Sequence, residues 1–171
     1  YEPYMDFYKA IRTAIINLHK KKQSKDILDK VLEDLTDEKK KKCYPEIVAG
    51  YKKFLGRKQF EWIKPPKKDW KIGNITINPE IGLEEKKKDG TSNFYIVKLY
   101  FKDDALKKAQ ADQILTLMEM QLRSKMKEPE IKFAILDVRR NKFHVKKDHD
   151  LKELPLLQGE AHSFATIWDS L

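Results

Sequence analysis

The chain has a single cysteine, Cys43. That excludes an internal disulfide and any metal centre built from cysteines. It also fits an intracellular, cytoplasmic protein. No apolar run approaches the roughly 18 residues that a membrane-spanning helix needs, so no membrane partner is expected. The first residues lack the basic, apolar, small-residue order of a secretory leader. Six glycines are scattered over 171 residues, and none belongs to a phosphate loop of the P-loop or dinucleotide type. His19, His144, His149 and His162 lack the spacing of a zinc site. Ser163 has no nucleophile-elbow context. Cys43 follows Lys42, which could favour a thiolate, but no His–Asp pair is legible beside it, and a plain surface thiol is the simpler reading. Arginine is scarce beside lysine, and specific phosphate and base contacts draw heavily on arginine.

What is abundant is charge. Charged residues make up 37% of the chain, hydrophobic ones 40% and aromatic ones 11%, the profile of a folded domain with a heavily charged surface. The net charge of +9 is unevenly placed. Residues 1–73 hold 19 basic and 11 acidic side chains, whereas residues 74–171 hold 17 and 16. A basic half beside a neutral half suggests a face for polyanions. Its candidate nucleic-acid contacts are Lys20, Lys21, Lys22, Lys39, Lys40, Lys41 and Lys42. Both runs are expected at helix C-terminal ends, where they also suit the helix dipole. A solvated helical surface is therefore the plain alternative.

Apolar periodicity predicts a helix from Tyr4 to about Lys22, with Phe7, Ile11, Ala14, Ile15 and Leu18 inward. Ser24 is a candidate N-cap for a second helix carrying Ile27, Leu28, Val31, Leu32 and Leu35. Pro45 suits the first turn of a third, which Gly56 ends. Pro65-Pro66 then breaks the chain. Lys71 to Leu83 suits one or two short strands, and Asp89-Gly90 marks a hairpin turn. Phe94 to Lys102 is the strongest strand. Asp103 and Asp104 favour the start of a helix running to about Lys127. Ile131 to Val138 reads as a strand buried on both faces, followed by a turn at Arg139 to Lys142 and a strand at Phe143 to Val145. Strand, long helix and strand imply a right-handed parallel crossover. A terminal helix is expected from Gly159 to Leu171, with Phe164, Ile167, Trp168 and Leu171 inward. The whole reads as one α/β domain over 1–171: a basic, mainly helical part (1–64), a small mixed sheet with a β-α-β crossover (71–146) and the terminal helix.

This order, with Pro79-Glu80 before one strand and Lys98-Leu99-Tyr100 on the next, resembles the PD-(D/E)xK nuclease superfamily, in particular its RecB-like branch. The resemblance implies a restriction-endonuclease-like core. It also implies two carboxylates on adjacent strands holding Mg²⁺, a hard cation that prefers oxygen ligands, with a lysine beside them. Glu80 stands at the Pro-Asp position. The Glu-x-Lys triplet is missing: one register puts Lys98 where the second carboxylate belongs, and the other gives Tyr100-Phe101-Lys102. The helix has Gln113 of the family's Gln-x-x-x-Tyr but not the tyrosine. The vestigial cleft is thus Glu80, Lys98, Tyr100, Lys102 and Gln113, with no metal ligand set and no cofactor expected. Alternation along the strand places Lys98, Tyr100 and Lys102 on one face with Glu80. It leaves Tyr95, Val97, Leu99 and Phe101 to pack against the crossover helix.

Three functions follow from this reading. One is a non-catalytic nuclease-like domain that binds nucleic acid, without sequence preference, in a DNA-processing or phage-like setting. Another is a protein-interaction domain whose old cleft is filled. The third is an active Mg²⁺-dependent nuclease with a carboxylate moved to Asp103 or Asp104. Trp62, Trp70, Tyr95 and Tyr100 could stack on bases, with packing inside the fold as the simpler role for each.

Overall fold

The computed structural model describes residues 7–66, 77–126, 130–146 and 155–160. The fold is mixed α/β, with three N-terminal helices followed by a five-stranded mixed sheet and a crossover helix. The helices are α1 (Lys9–Lys20), α2 (Asp26–Glu33) and α3 (Glu38–Leu55). The strands are β1 (Gln59–Ile63), β2 (Ile81–Lys86), β3 (Ser92–Tyr100), β4 (Lys132–Asp137) and β5 (Lys142–Val145). Between β3 and β4 lies α4 (Lys108–Leu122), extended by a short 3-10 turn, Arg123–Lys125. The strands lie side by side in chain order. Neighbours are antiparallel except β3 and β4, which are parallel.

Two apolar clusters sandwich this sheet. Tyr95, Val97, Leu99 and Phe101 join Ile81, Leu83, Ala134 and Leu136 beneath the N-terminal helices, against Ile11, Ile15, Tyr44, Ile47 and Tyr51. Ile96, Phe133 and Ile135 face the other way, onto Ala111, Leu115, Met118 and Leu122 of α4. The alternation along β3 therefore holds, but the layers are exchanged relative to expectation: the all-apolar face of β3 meets α1–α3, not the crossover helix. Period-two alternation fixes which side chains share a face, and it carries no information on which helices cover that face.

Several element boundaries also differ from the sequence reading. Helix α3 begins at Glu38, where the Asp37 carboxylate accepts the Lys39 and Lys40 amides at 2.8 and 3.0 Å. This N-cap places Lys39, Lys40, Lys41 and Lys42 in the first turns of α3 rather than at the end of α2, and leaves Pro45 inside the helix. Burial of Tyr44, Ile47, Val48 and Tyr51 on one face outweighs the proline. Residues 59–63 form a strand before Pro65-Pro66, so the sheet starts inside the region expected to be helical. Helix α4 starts at Lys108 because Asp103 is held in the preceding loop by Arg139 and Arg140, and the Asp104 carbonyl by the Tyr100 hydroxyl. Its buried stripe is Ala111, Leu115, Met118 and Leu122, whereas Ala109 is exposed and Gln113, Leu117 and Met120 are half-buried. The hairpin turn at Asp89-Gly90 is as expected, with Gly90 at φ 83°. Residues 155–160 are helical, so Pro155 opens a helix rather than closing a loop. The inward residues expected after Gly159 lie outside the described residues, as do residues 71–76 of the strand region expected from Lys71 to Leu83.

Candidate functional site

Glu80 sits immediately before β2 and faces Lys98 across the ladder. Its amide donates to the Val97 carbonyl at 3.1 Å. Its carboxylate then takes the next ladder donor, the Leu99 amide, at 2.7 Å from Oε2. Lys98 Nζ donates to Glu80 Oε1 at 3.2 Å and to the Asn78 carbonyl at 3.1 Å. From the helical layer, Arg12 brings its Nε to 3.9 Å from the same oxygen, close enough for charge attraction but too far for a hydrogen bond. The Glu80 side chain is only 13% exposed. A carboxylate this enclosed is held by two cations and a backbone amide, and losing the lysine would leave a buried charge short of a partner.

The other cleft residues are not drawn in. The Tyr100 hydroxyl donates to the Asp104 carbonyl at 2.9 Å, and burial raises its pKa. Lys102 is exposed beyond the end of β3. Gln113 is half-buried on α4 and makes no hydrogen bond to Glu80 or Lys98. Asp103 pairs with Arg139 at 2.8 Å. Asp137, fully buried at the end of β4, accepts the Leu106 amide at 3.2 Å and the Arg140 amide at 3.4 Å. Arg139 also donates to the Phe101 carbonyl at 2.9 Å and to Glu46 at 3.0 Å. These arginines, legible beforehand only as a turn, fasten the loop after β3 to the end of β4 and to α3.

No group of three or more His, Cys, Asp or Glu side chains converges among the described residues. One carboxylate matched to a lysine, with Arg12 behind it, does not fit Mg²⁺, which takes several hard oxygen ligands. Cys43 is half-buried, and burial pushes its thiol pKa up, the reverse of what a reactive cysteine needs.

The lysine runs sit at opposite ends of the helical layer. Tyr44, near the start of α3, donates to the Phe7 carbonyl at the start of the α1 region, while Tyr51, further along α3, meets His19 near the end of α1. The two helices thus run in the same direction. Lys20 to Lys22 and Lys39 to Lys42 are separated by about the length of α1, roughly 18 Å for twelve residues. Lys20, Lys21, Lys22, Lys39, Lys41 and Lys42 are exposed, and Lys40 lies over the Phe7 ring at 5.8 Å. Lys41 pairs with Glu38.

A second concavity was not anticipated. An open pocket of about 400 Å³ lies between the end of α1 and β1, lined among others by His19, Lys22, Lys25, Lys58, Trp62 and Lys86. Of its lining, the sequence singles out Lys22 as a nucleic-acid contact and Trp62 as able to stack on a base, with nothing to join them. Lys86 and Glu80 stand at opposite ends of β2, about 20 Å apart at strand rise, so the pocket is separate from the Glu80 pair.

No helix among the described residues is long and apolar enough to cross a membrane. No protein-family model matches the sequence, and no curated protein matches it either.

Proposed function

We propose that this chain is a nuclease-like domain without nuclease chemistry, and that it binds nucleic acid through its basic N-terminal half. The observation that carries the first part is the Glu80–Lys98 pair. Where a metal-dependent nuclease needs a second carboxylate, a cation stands 3.2 Å from the first. The element order supports the likeness to that fold: an antiparallel β1-β2-β3 meander, then a crossover helix, then β4 parallel to β3. The charge balance of the first 73 residues supports the second part.

The purified protein should leave plasmid and single-stranded DNA intact in Mg²⁺ and in Mn²⁺, while retaining DNA on a low-salt column. Each phosphate contacted on duplex DNA adds about −0.9 to the slope of log affinity against log salt, so four or five contacts would make binding vanish above physiological salt. Cleavage that disappears in Glu80→Ala would overturn the non-catalytic reading. Affinity untouched by reversing the charges of the Lys20–Lys22 and Lys39–Lys42 runs would overturn the binding reading and leave a protein-interaction domain.

A further inference from the structure

We infer that the pocket between α1 and β1 binds one nucleotide of a single nucleic-acid strand, its base against Trp62 and its phosphate on Lys22 and Lys25. This rests on the nucleic-acid reading above and specifies where the strand is held.

Three independent features converge there. The first is unneutralised positive charge. Lys58 is paired with Glu85 at 3.6 Å, and Lys86 with Glu61 at 2.6 Å. Among the described residues Lys25 donates to the Gly56 carbonyl, at 2.9 Å, and neither it nor Lys22 has a carboxylate within 4.0 Å, although Lys22 adds to Lys86 in lowering the pKa of Glu61 in the same wall. Lys25 therefore keeps its charge for a ligand, and Lys22 shares with Lys86 a single carboxylate, Glu61, so positive charge remains in excess. His19, in the wall, adds none, since burial lowers its pKa to about 4.

The second feature is aromatic. Phe60 is already engaged, stacked on Phe54 with ring centroids 5.3 Å apart and edge-on to His19. Trp62 is half-buried, lines the pocket and has no ring neighbour among the described residues. An indole that packs on the core beneath α1–α3 and also lines the pocket beside these lysines suits base stacking, which tolerates any base. The volume lies within the range of small-ligand pockets. A duplex could bring phosphates to the lysines, but its bases are stacked on each other and cannot reach Trp62. Single-stranded binding is the mode that uses both groups.

The third feature is backbone. Lys22 adopts φ 51° after the last turn of α1. The Gln23 amide donates to the Leu18 carbonyl at 2.9 Å and the Lys22 amide to the His19 carbonyl at 3.2 Å. This left-handed closure of a helix is usually given to glycine, because a side chain there is disfavoured. A lysine kept in a strained position at a pocket mouth points to a use for its charge.

The test is fluorescence anisotropy with labelled oligothymidylate, a duplex of equal length, and free thymidine monophosphate as competitor. Wild type is compared with Lys22→Gly, Lys22→Glu/Lys25→Glu and Trp62→Leu. The single strand should bind more tightly than the duplex. Trp62→Leu should weaken it about tenfold, in the range of losing one stacked base. The double charge reversal should reduce the salt slope by about 0.7 for each lost contact. Lys22→Gly should raise the melting temperature while lowering affinity, which separates lost binding from lost folding. Oligonucleotide binding that responds to reversal of Lys39 to Lys42 but not to these variants would overturn the pocket and keep the nucleic-acid reading. Absence of binding to either strand form at low salt would overturn both. Binding of the mononucleotide alone would overturn the assignment to a strand.

Discussion

Between pH 7.5 and 4.5 the protein should lose on the order of 2–3 kcal/mol of stability through one side chain, His19, at about 1.4 kcal/mol per pKa unit. His19 is 5% exposed, and its Nε2 is paired with the Tyr51 hydroxyl at 2.6 Å. Phe60 lies edge-on to the imidazole. Burial lowers its pKa from 6.5 to about 4, and the same burial raises that of the Tyr51 phenol. The unfolded chain therefore binds a proton between pH 6.5 and 4 that the folded chain refuses, so stability is full above 6.5 and falls as the pH drops towards 4. His144 shifts in the same direction by burial and adds to the loss in this window, whereas Asp37, Glu61 and Asp89, with lowered pKa values, lose their contributions at still lower pH, below their ordinary carboxylate values. Urea melts at both pH values, for wild type and His19→Gln, isolate the contribution. The difference between the two proteins should shrink on acidification. An unchanged difference would mean that His19 protonates in place.

Gly50→Ala should destabilise the protein by about 2 kcal/mol, although alanine is the better helix former. Gly50 is buried in α3 where the helix crosses the end of β4. A Cβ added there would meet the Val138 carbonyl oxygen at 2.0 Å and its carbon at 3.0 Å. Both are backbone atoms, so no side chain can rotate away. Overpacking costs about 1–3 kcal/mol, and a backbone clash belongs at the upper end. The gain in helix propensity, about 1 kcal/mol, offsets only part of it. The same shift would disturb Arg139, which follows Val138 and ties α3 to the loop after β3. Equilibrium denaturation measures the change. A neutral or stabilising result would show that α3 slides freely on the sheet.

The parts of this fold that were legible are those set by local pattern. The helix stripes of α1 and α3, the Asp89-Gly90 turn and the doubly buried strand β4 each follow from spacing over a few residues. The cross-strand meeting of Glu80 and Lys98 followed from alternation on β3. What failed depended on distant partners. Whether α1–α3 or α4 covers the Val97 face depends on the layers that close over the sheet, and no window of sequence encodes that. Residues 59–63 are too short to show a period, and they become a strand because β2 offers them an antiparallel partner. The separation of the two lysine runs depends on α1 and α3 running in the same direction, a tertiary fact. The pocket assembles Lys22 and Lys25, Lys58, and Lys86 from three separate stretches, which no motif could signal.

The account turns on whether Lys98 occupies the place of a metal, and calorimetric titration with Mn²⁺ tests this most directly. Wild type should give no site-specific heat, because Glu80 is committed to Lys98, Arg12 and the Leu99 amide. Lys98→Glu puts a second carboxylate opposite the first. It should lower stability without metal by like-charge repulsion, and then gain both saturable Mn²⁺ binding and a Mn²⁺-dependent rise in melting temperature. Saturable one-site heat in wild type, abolished by Glu80→Ala, would contradict the account. So would a folded Lys98→Glu protein that binds no Mn²⁺, since the lysine would then not be what excludes the cation.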